Sequence, residues 1–160
     1  MTDTTSPNQN TRAGFAAIIV APNAGKSTLV NRMVGAKVSI VTQKVQTTRF
    51  PVRGVAMTGD TQIVLVDTPG IFTPRRRLDR AMVRSAWSGA EDSEVVVHLV
   101  DVQAELAARE RRATPGEHRS VQDVQTIIEG LKAANRQVIL ALNKIDGVKR
   151  ETLLAVAHDL

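Results

Sequence analysis

Apolar residues first gather over residues 15–20, a run with no polar interruption and of the length expected for a strand covered on both faces. The polar phrase APNAGKST follows, then LVNRMVG, where Leu29, Val30 and Met33 recur at helical spacing and Gly35 offers a C-terminal stop. The predicted order is strand, loop, helix. Residues 50–58 and 62–67 flank Gly59-Asp60, a dipeptide suited to a tight hairpin, so these two strands are expected to pair antiparallel. Leu78, Met82, Ala86 and Gly89 fall on one stripe of a helix predicted to begin after Pro74, with arginines at positions 75, 76, 77, 80 and 84 crowding its entry and flank.

A second all-apolar run, residues 95–100, ends at Asp101. The charged stretch 103–117 shows no clear pattern and reads as a solvent loop with some helix. Val121, Val124, Ile127, Ile128 and Leu131 then mark an amphipathic helix, residues 138–142 the next buried strand, and a last helix runs from near Lys149 to Leu160 without a cap. Buried strands alternating with amphipathic helices predict an α/β fold, a doubly wound mixed sheet with helices on both faces.

Composition changes this picture little. At 160 residues the chain suits one domain, and with 42% apolar but only 2% aromatic residues its core must be aliphatic. The net charge of +5 suits a polyanionic partner, nucleotide or RNA, without choosing between them. No cysteine is present, which excludes a disulfide partner and thiolate metal sites. Residues 1–13 are polar and lack the apolar stretch of a signal peptide, and no later run is long enough to span a bilayer. The expectation is a disordered tail over 1–13 and one domain over 14–160 of a soluble, cytoplasmic protein.

Three phrases carry chemistry. Asn23, Ala24, Gly25, Lys26, Ser27 and Thr28 lie between a strand and a helix, where backbone N–H groups and a helix N-terminus can wrap a phosphate chain. Gly25 permits close approach, the Lys26 ammonium can bridge phosphate oxygens, and the Ser27 hydroxyl is a hard ligand for magnesium. A GKS triplet alone is weak, and its setting between strand and helix is what gives it force. Asp67-Thr68-Pro69-Gly70 ends a buried strand; Asp67 there can hold the hydration shell of magnesium and the Gly70 N–H can meet a γ-phosphate, although Asp, Pro and Gly also make ordinary turns. Asn143-Lys144-Ile145-Asp146 follows another apolar strand. A carboxylate at Asp146 can accept from both guanine N1–H and the 2-amino group, donors that adenine lacks, and Asn143 can bond the other edge of the base. Each phrase could be a capped turn, but all three occur in order at strand ends.

With these residues in view, GFAAIIVAPNAGKSTLVNRMVGAKVSIVTQKVQTTR, DTPGIF and NKID together resemble the GTP-binding domain of the Era family, in the TrmE, Era and Der group of P-loop GTPases. The resemblance implies GTP and GDP as ligands, magnesium as cofactor and slow hydrolysis of GTP. It also implies a magnesium ligand from the QTTR threonines, Thr47 or Thr48, with Lys26, Thr48 and Gly70 as the catalytic group and Asp67, Asn143, Lys144 and Asp146 in nucleotide binding. Relatives with a PNxGKS phrase bind potassium through the asparagine, here Asn23. Family partners are the small ribosomal subunit and its rRNA, with peripheral membrane association.

Four departures bear on these expectations. The family's phosphate loop opens on glycine where this chain has Val20, and a β-branched residue resists positive φ, though an extended conformation would tolerate it. The chain stops before the family's Ser-Ala element, so a last strand and helix are expected to be missing. The RNA-binding KH domain is absent, so family RNA binding does not transfer to these residues. Ile71 stands where Ras-like enzymes place a water-orienting glutamine. Val20 and the early end support an alternative, a truncated or pseudo-GTPase that binds nucleotide weakly and acts as an interaction module. The arginines of 75–84 admit either a solvated helix face or an RNA-contacting surface.

Overall fold

The computed structural model describes residues 11–35, 52–66, 68, 70–72 and 77–160. Thr47, Thr48, Asp67 and Arg75–Arg76 lie outside the described residues, as do residues 1–10 of the expected tail.

The elements are β1 (Arg12–Val20), α1 (Lys26–Val34), β2 (Val52–Thr58), β3 (Thr61–Val66), α2 (Arg77–Glu91), β4 (Val95–Asp101), α3 (Val102–Arg109), α4 (Pro115–Ala133), β5 (Ile139–Asn143) and α5 (Arg150–Asp159). The described strands form one sheet in the order β2-β3-β1-β4-β5. β1 runs parallel to β3 and β4, and β4 parallel to β5, while β2 and β3 are antiparallel with Thr58 opposite Thr61. The Gly59-Asp60 hairpin is therefore present, and Gly59 takes the positive φ of 55° that such a tight turn needs. β1 begins at Arg12, before the periodic pattern does, because Arg12 and Ala13 pair with Thr61 and Gln62 on the strand's exposed end.

Alternation along the central strands feeds two aliphatic layers. Ala17 and Ile19 of β1 with Val96 and Val100 of β4 pack beneath α2 and α4. Ala16, Ile18 and Val20 with Leu65 and Leu99 face α1, whose Val30 is buried there. Helices thus cover both faces, as doubly wound sheets require. Ile19, Leu65, Ile71, Leu99 and Ile127 are almost wholly buried, each worth about 1.5–3 kcal/mol in transfer from water. The sheet's α4 side is closed further by Arg136, which donates to the carbonyls of Ala90 and Ser93 at the end of α2.

Three expectations need correction. Val20 is the last residue of β1, 3% exposed, paired with Leu99, and absent from the residues with positive φ. It is extended, where a β-branched side chain is favoured. The stripe proposed for α2 holds at Ala86 and Gly89, both buried, but not at Met82, which is exposed; the Leu78 side chain lies outside the described residues, and the covered face also takes in Val83, Trp87 and Ala90. Trp87 decides this, since it lies against Gly130 of α4 so closely that a Cβ there would come within 2.6 Å of its ring. The stretch 103–117 is mostly helical. Asp101 caps α3 through Gln103 and Ala104, and Thr114 and Glu117 form a reciprocal capping box that starts α4 six residues before Val121.

Candidate functional site

Because β1, β3, β4 and β5 are parallel, their C-terminal ends share one edge of the sheet, the edge at which such folds bind ligands. The phosphate-loop phrase leaves β1 there, the DTPG phrase follows β3, Asp101 closes β4, and the NKID phrase follows β5. Residues from Val20 to Thr28 together with Gly70 line a cavity of about 300 Å³ at this edge.

The loop between β1 and α1 turns twice through left-handed conformations, at Asn23 (φ 65°) and Gly25 (φ 98°). Asparagine is among the few side chains that accept this region, and glycine accepts it freely. Gly25 has a second constraint. A Cβ at this position would stand 2.4 Å from Nδ2 of Asn143, so a side chain here would have to displace that amide. Asn143 uses that same nitrogen to donate to the Ala24 carbonyl at 2.8 Å, across a sequence separation of 119 residues. Lys144 donates its ammonium to the Asn23 carbonyl at 3.1 Å and to Asp101 Oδ2 at 2.6 Å. Asn143 and Lys144 therefore clasp the loop from the far side of β4.

Thr68, Gly70 and Ile71 are held from the other flank. Thr68 is buried and its hydroxyl donates to the Ile18 carbonyl at 2.6 Å; the Ile71 N–H donates to the Val20 carbonyl at 2.9 Å. Lys26 donates to the Thr68 carbonyl, tying the two phrases together. Gly70 sits against the Val20 carbonyl and Pro22. Ile71, 1% exposed, belongs to the core beneath α2, so its side chain faces away from the cavity and no glutamine-like role exists at that position.

The predicted residues described here, Asn23, Ala24, Gly25, Lys26, Ser27, Thr28, Gly70, Asn143, Lys144 and Asp146, are carried by the loops at this one edge. Asn23 shows no side-chain hydrogen bond among the described residues, while Ser27 and Thr28 are exposed on the first turn of α1. Two participants were missed in the sequence. Asp101 divides its carboxylate, one oxygen capping α3 through Gln103 N (3.0 Å) and Ala104 N (3.2 Å) and the other on Lys144. Gln103 reaches the carbonyls of Lys144 and Asp146. A strand-ending aspartate before a helix is the readable signal for the first; nothing local marks the second.

Comparison with known proteins agrees with this arrangement. Residues 15–144 match the family model described as 50S ribosome-binding GTPase. The chain is 84% identical to GTPase Era of Caulobacter vibrioides over 159 residues, covering 99% of this chain and 49% of that protein. It is 55% identical to GTPase Era of Maricaulis maris, covering 93% of this chain and 48% of the relative. The chain thus spans about half the length of the curated relatives it matches. Among solved structures, an Era variant from Aquifex aeolicus bound to GDP·AlF4⁻ superposes with a TM-score of 0.64 at 33% identity, over 92% of this chain and 46% of that one. Era in complex with MgGDPNP and nucleotides 1506–1542 of 16S ribosomal RNA gives 0.63 at 34%, over 93% and 46%. On the breadth of the family match and the likeness of these relatives, the chain belongs to the 50S ribosome-binding GTPase family, and its fold is a P-loop GTP-binding domain of the Era type.

Proposed function

We propose that this chain binds GTP and GDP with magnesium and hydrolyses GTP. The observation that carries the reading is the contact of Asn143 with the phosphate loop. It brings a base-recognition phrase and a phosphate-binding phrase within hydrogen-bond distance, beside Gly25, where a φ of 98° favours glycine. In this reading Lys26 meets the β- and γ-phosphates, together with N–H groups at the start of α1. Asp146 accepts from guanine, Lys144 braces the loop beneath it, and the Gly70 N–H meets the γ-phosphate. Ser27, at the start of α1, carries a hydroxyl of the hard-oxygen kind that suits magnesium, and Asp67 with Thr47 or Thr48 would complete its protein ligands. Magnesium, when bound, neutralises charge on the phosphate oxygens. With Ile71 in the core, water activation has no side-chain base at that position, and hydrolysis rests on positioning by Lys26, Thr48 and Gly70. Asn23, exposed and left-handed, would add potassium beside the phosphates, seen as faster hydrolysis in potassium than in sodium salts and lost in Asn23→Gly, which keeps the turn. A cytoplasmic setting belongs to the same proposal, and contact with ribosomal RNA would fall to the exposed Arg77, Arg80 and Arg84 of α2 rather than to the family's KH domain.

The extended conformation of Val20 removes one sequence argument for a pseudo-GTPase. Calorimetric titration of the chain in magnesium tests the proposal. Saturable GDP binding is expected, with a preference over ADP of about 10³ or more and loss of binding in Lys26→Ala. Equal affinity for ADP, or no saturable GDP binding, would overturn it.

A further inference from the structure

Gln103 stands on the first turn of α3, and its side chain crosses to the loop after β5. Its amide nitrogen donates to the Lys144 carbonyl at 3.0 Å and lies 3.4 Å from the Asp146 carbonyl. An amide NH₂ carries two hydrogens, so both bonds can be made together. The two acceptors bracket Ile145, and the first belongs to a residue at φ 57°, a left-handed conformation that side-chain-bearing residues hold only under constraint.

The base of this tether is itself fixed. The Gln103 N–H donates to Asp101 Oδ1 while Asp101 Oδ2 holds the Lys144 ammonium, so the same turn of α3 grips the loop by its backbone and by its lysine. Asp146, in contrast, is exposed, and among the described residues no hydrogen bond fixes its carboxylate. The direction in which that carboxylate points is therefore set by the backbone at 144–146, and Gln103 is the side chain that holds this backbone at two carbonyls.

We propose that Gln103 is a positioning residue for guanine selectivity, acting through Asp146 by holding the 144–146 backbone. The inference rests on the reading of Asp146 as the guanine acceptor. A glutamine that merely ties down a surface loop would change stability or weaken all nucleotides alike; one that aims Asp146 changes the preference among bases, because a carboxylate must align with both N1–H and the 2-amino group to accept from both.

The test is competition binding of GDP, IDP and XDP to the 160-residue chain in three forms: parent, Gln103→Ala and Asp146→Asn. IDP lacks the 2-amino group, so the ratio of GDP to IDP affinity reports alignment at that donor. Gln103→Ala is expected to lower this ratio by about fivefold to tenfold with little change in phosphate-dominated affinity for IDP. Gln103→Glu, which sets a carboxylate against two carbonyls, is expected to lower it at least as far. If Asp146→Asn moves preference toward XDP while both Gln103 variants keep the parental GDP to IDP ratio, the positioning role is overturned and the Asp146 assignment stands. If Asp146→Asn leaves the preferences unchanged, or the chain binds no guanine nucleotide, the reading beneath falls and the proposal with it.

Discussion

Val20 shows how one residue's backbone angle can decide a functional question. As a loop residue with positive φ it would have been strained, whereas as the last residue of β1 it fills the layer beneath α1 with Ile18, Leu65 and Leu99. Its carbonyl also receives the Ile71 N–H, so the strand end helps hold the segment at Gly70 and Ile71. Val20→Gly should therefore destabilise the chain, by about 2–4 kcal/mol from the lost buried side chain and the added backbone freedom, and should not tighten GDP binding. Urea denaturation and calorimetry on the variant check both parts; tighter GDP binding would show that the position does need glycine. Gly25 is the contrasting case, since its φ of 98° strains any residue with a side chain, and one there would also have to displace the Asn143 amide. The phosphate loop could be read from its phrase, but the Asn143 contact beside Gly25 is tertiary and has no local signature.

Among the elements, β4 carries a polar residue within an apolar run. His98 is 2% exposed, its Nδ1 lies 3.3 Å from the Ile19 carbonyl, and its Nε2 has no partner among the described residues. Burial lowers its pKa, only partly offset by the hydrogen bond to Ile19. A group whose pKa falls on folding leaves stability intact above its unfolded value, near 6.5 for imidazole, and removes stability as pH falls through the folded value. The loss approaches about 1.4 kcal/mol per pH unit within that window. Glu105 on α3 acts in the opposite sense, because burial raises its pKa and the folded chain then favours its protonated form as pH falls. Comparison of parent with His98→Leu isolates the histidine. The parent should lose more stability than the variant between pH 7 and 5, by chemical denaturation at each pH, and parallel curves would show that His98 is not held neutral. Element legibility followed the same physics. The strands were plain because buried parallel strands are unbroken apolar runs. α3 was not, because its buried face is Val102, Ala104, Glu105 and Ala107, small or charged residues with little hydrophobic signal. Met82 fell on the predicted stripe of α2 without being covered, because a stripe counts apolar residues without knowing that Trp87 must meet Gly130.

Across the whole molecule, four parallel strand ends gather loops from separate parts of the chain onto one edge, and three of the phrases found there were legible as motifs. What joins them was not: the bonds of Asn143 to Ala24, Lys144 to Asn23 and Asp101, and Lys26 to Thr68 depend on strand order rather than on spacing. β5 stands at one end of the described sheet with Ile139 57% exposed, so the NKID loop is carried on an edge strand and relies on its clasp to β4, α3 and the phosphate loop. The central claim is that this clasp presents Asp146 to guanine. Nucleotide competition with Asp146→Asn tests it most directly, because an amide can pair with the oxygen and N–H of xanthine but cannot accept both guanine donors. The account predicts that preference moves from GDP to XDP while the variant keeps its fold by circular dichroism; a folded variant that still prefers GDP would contradict it.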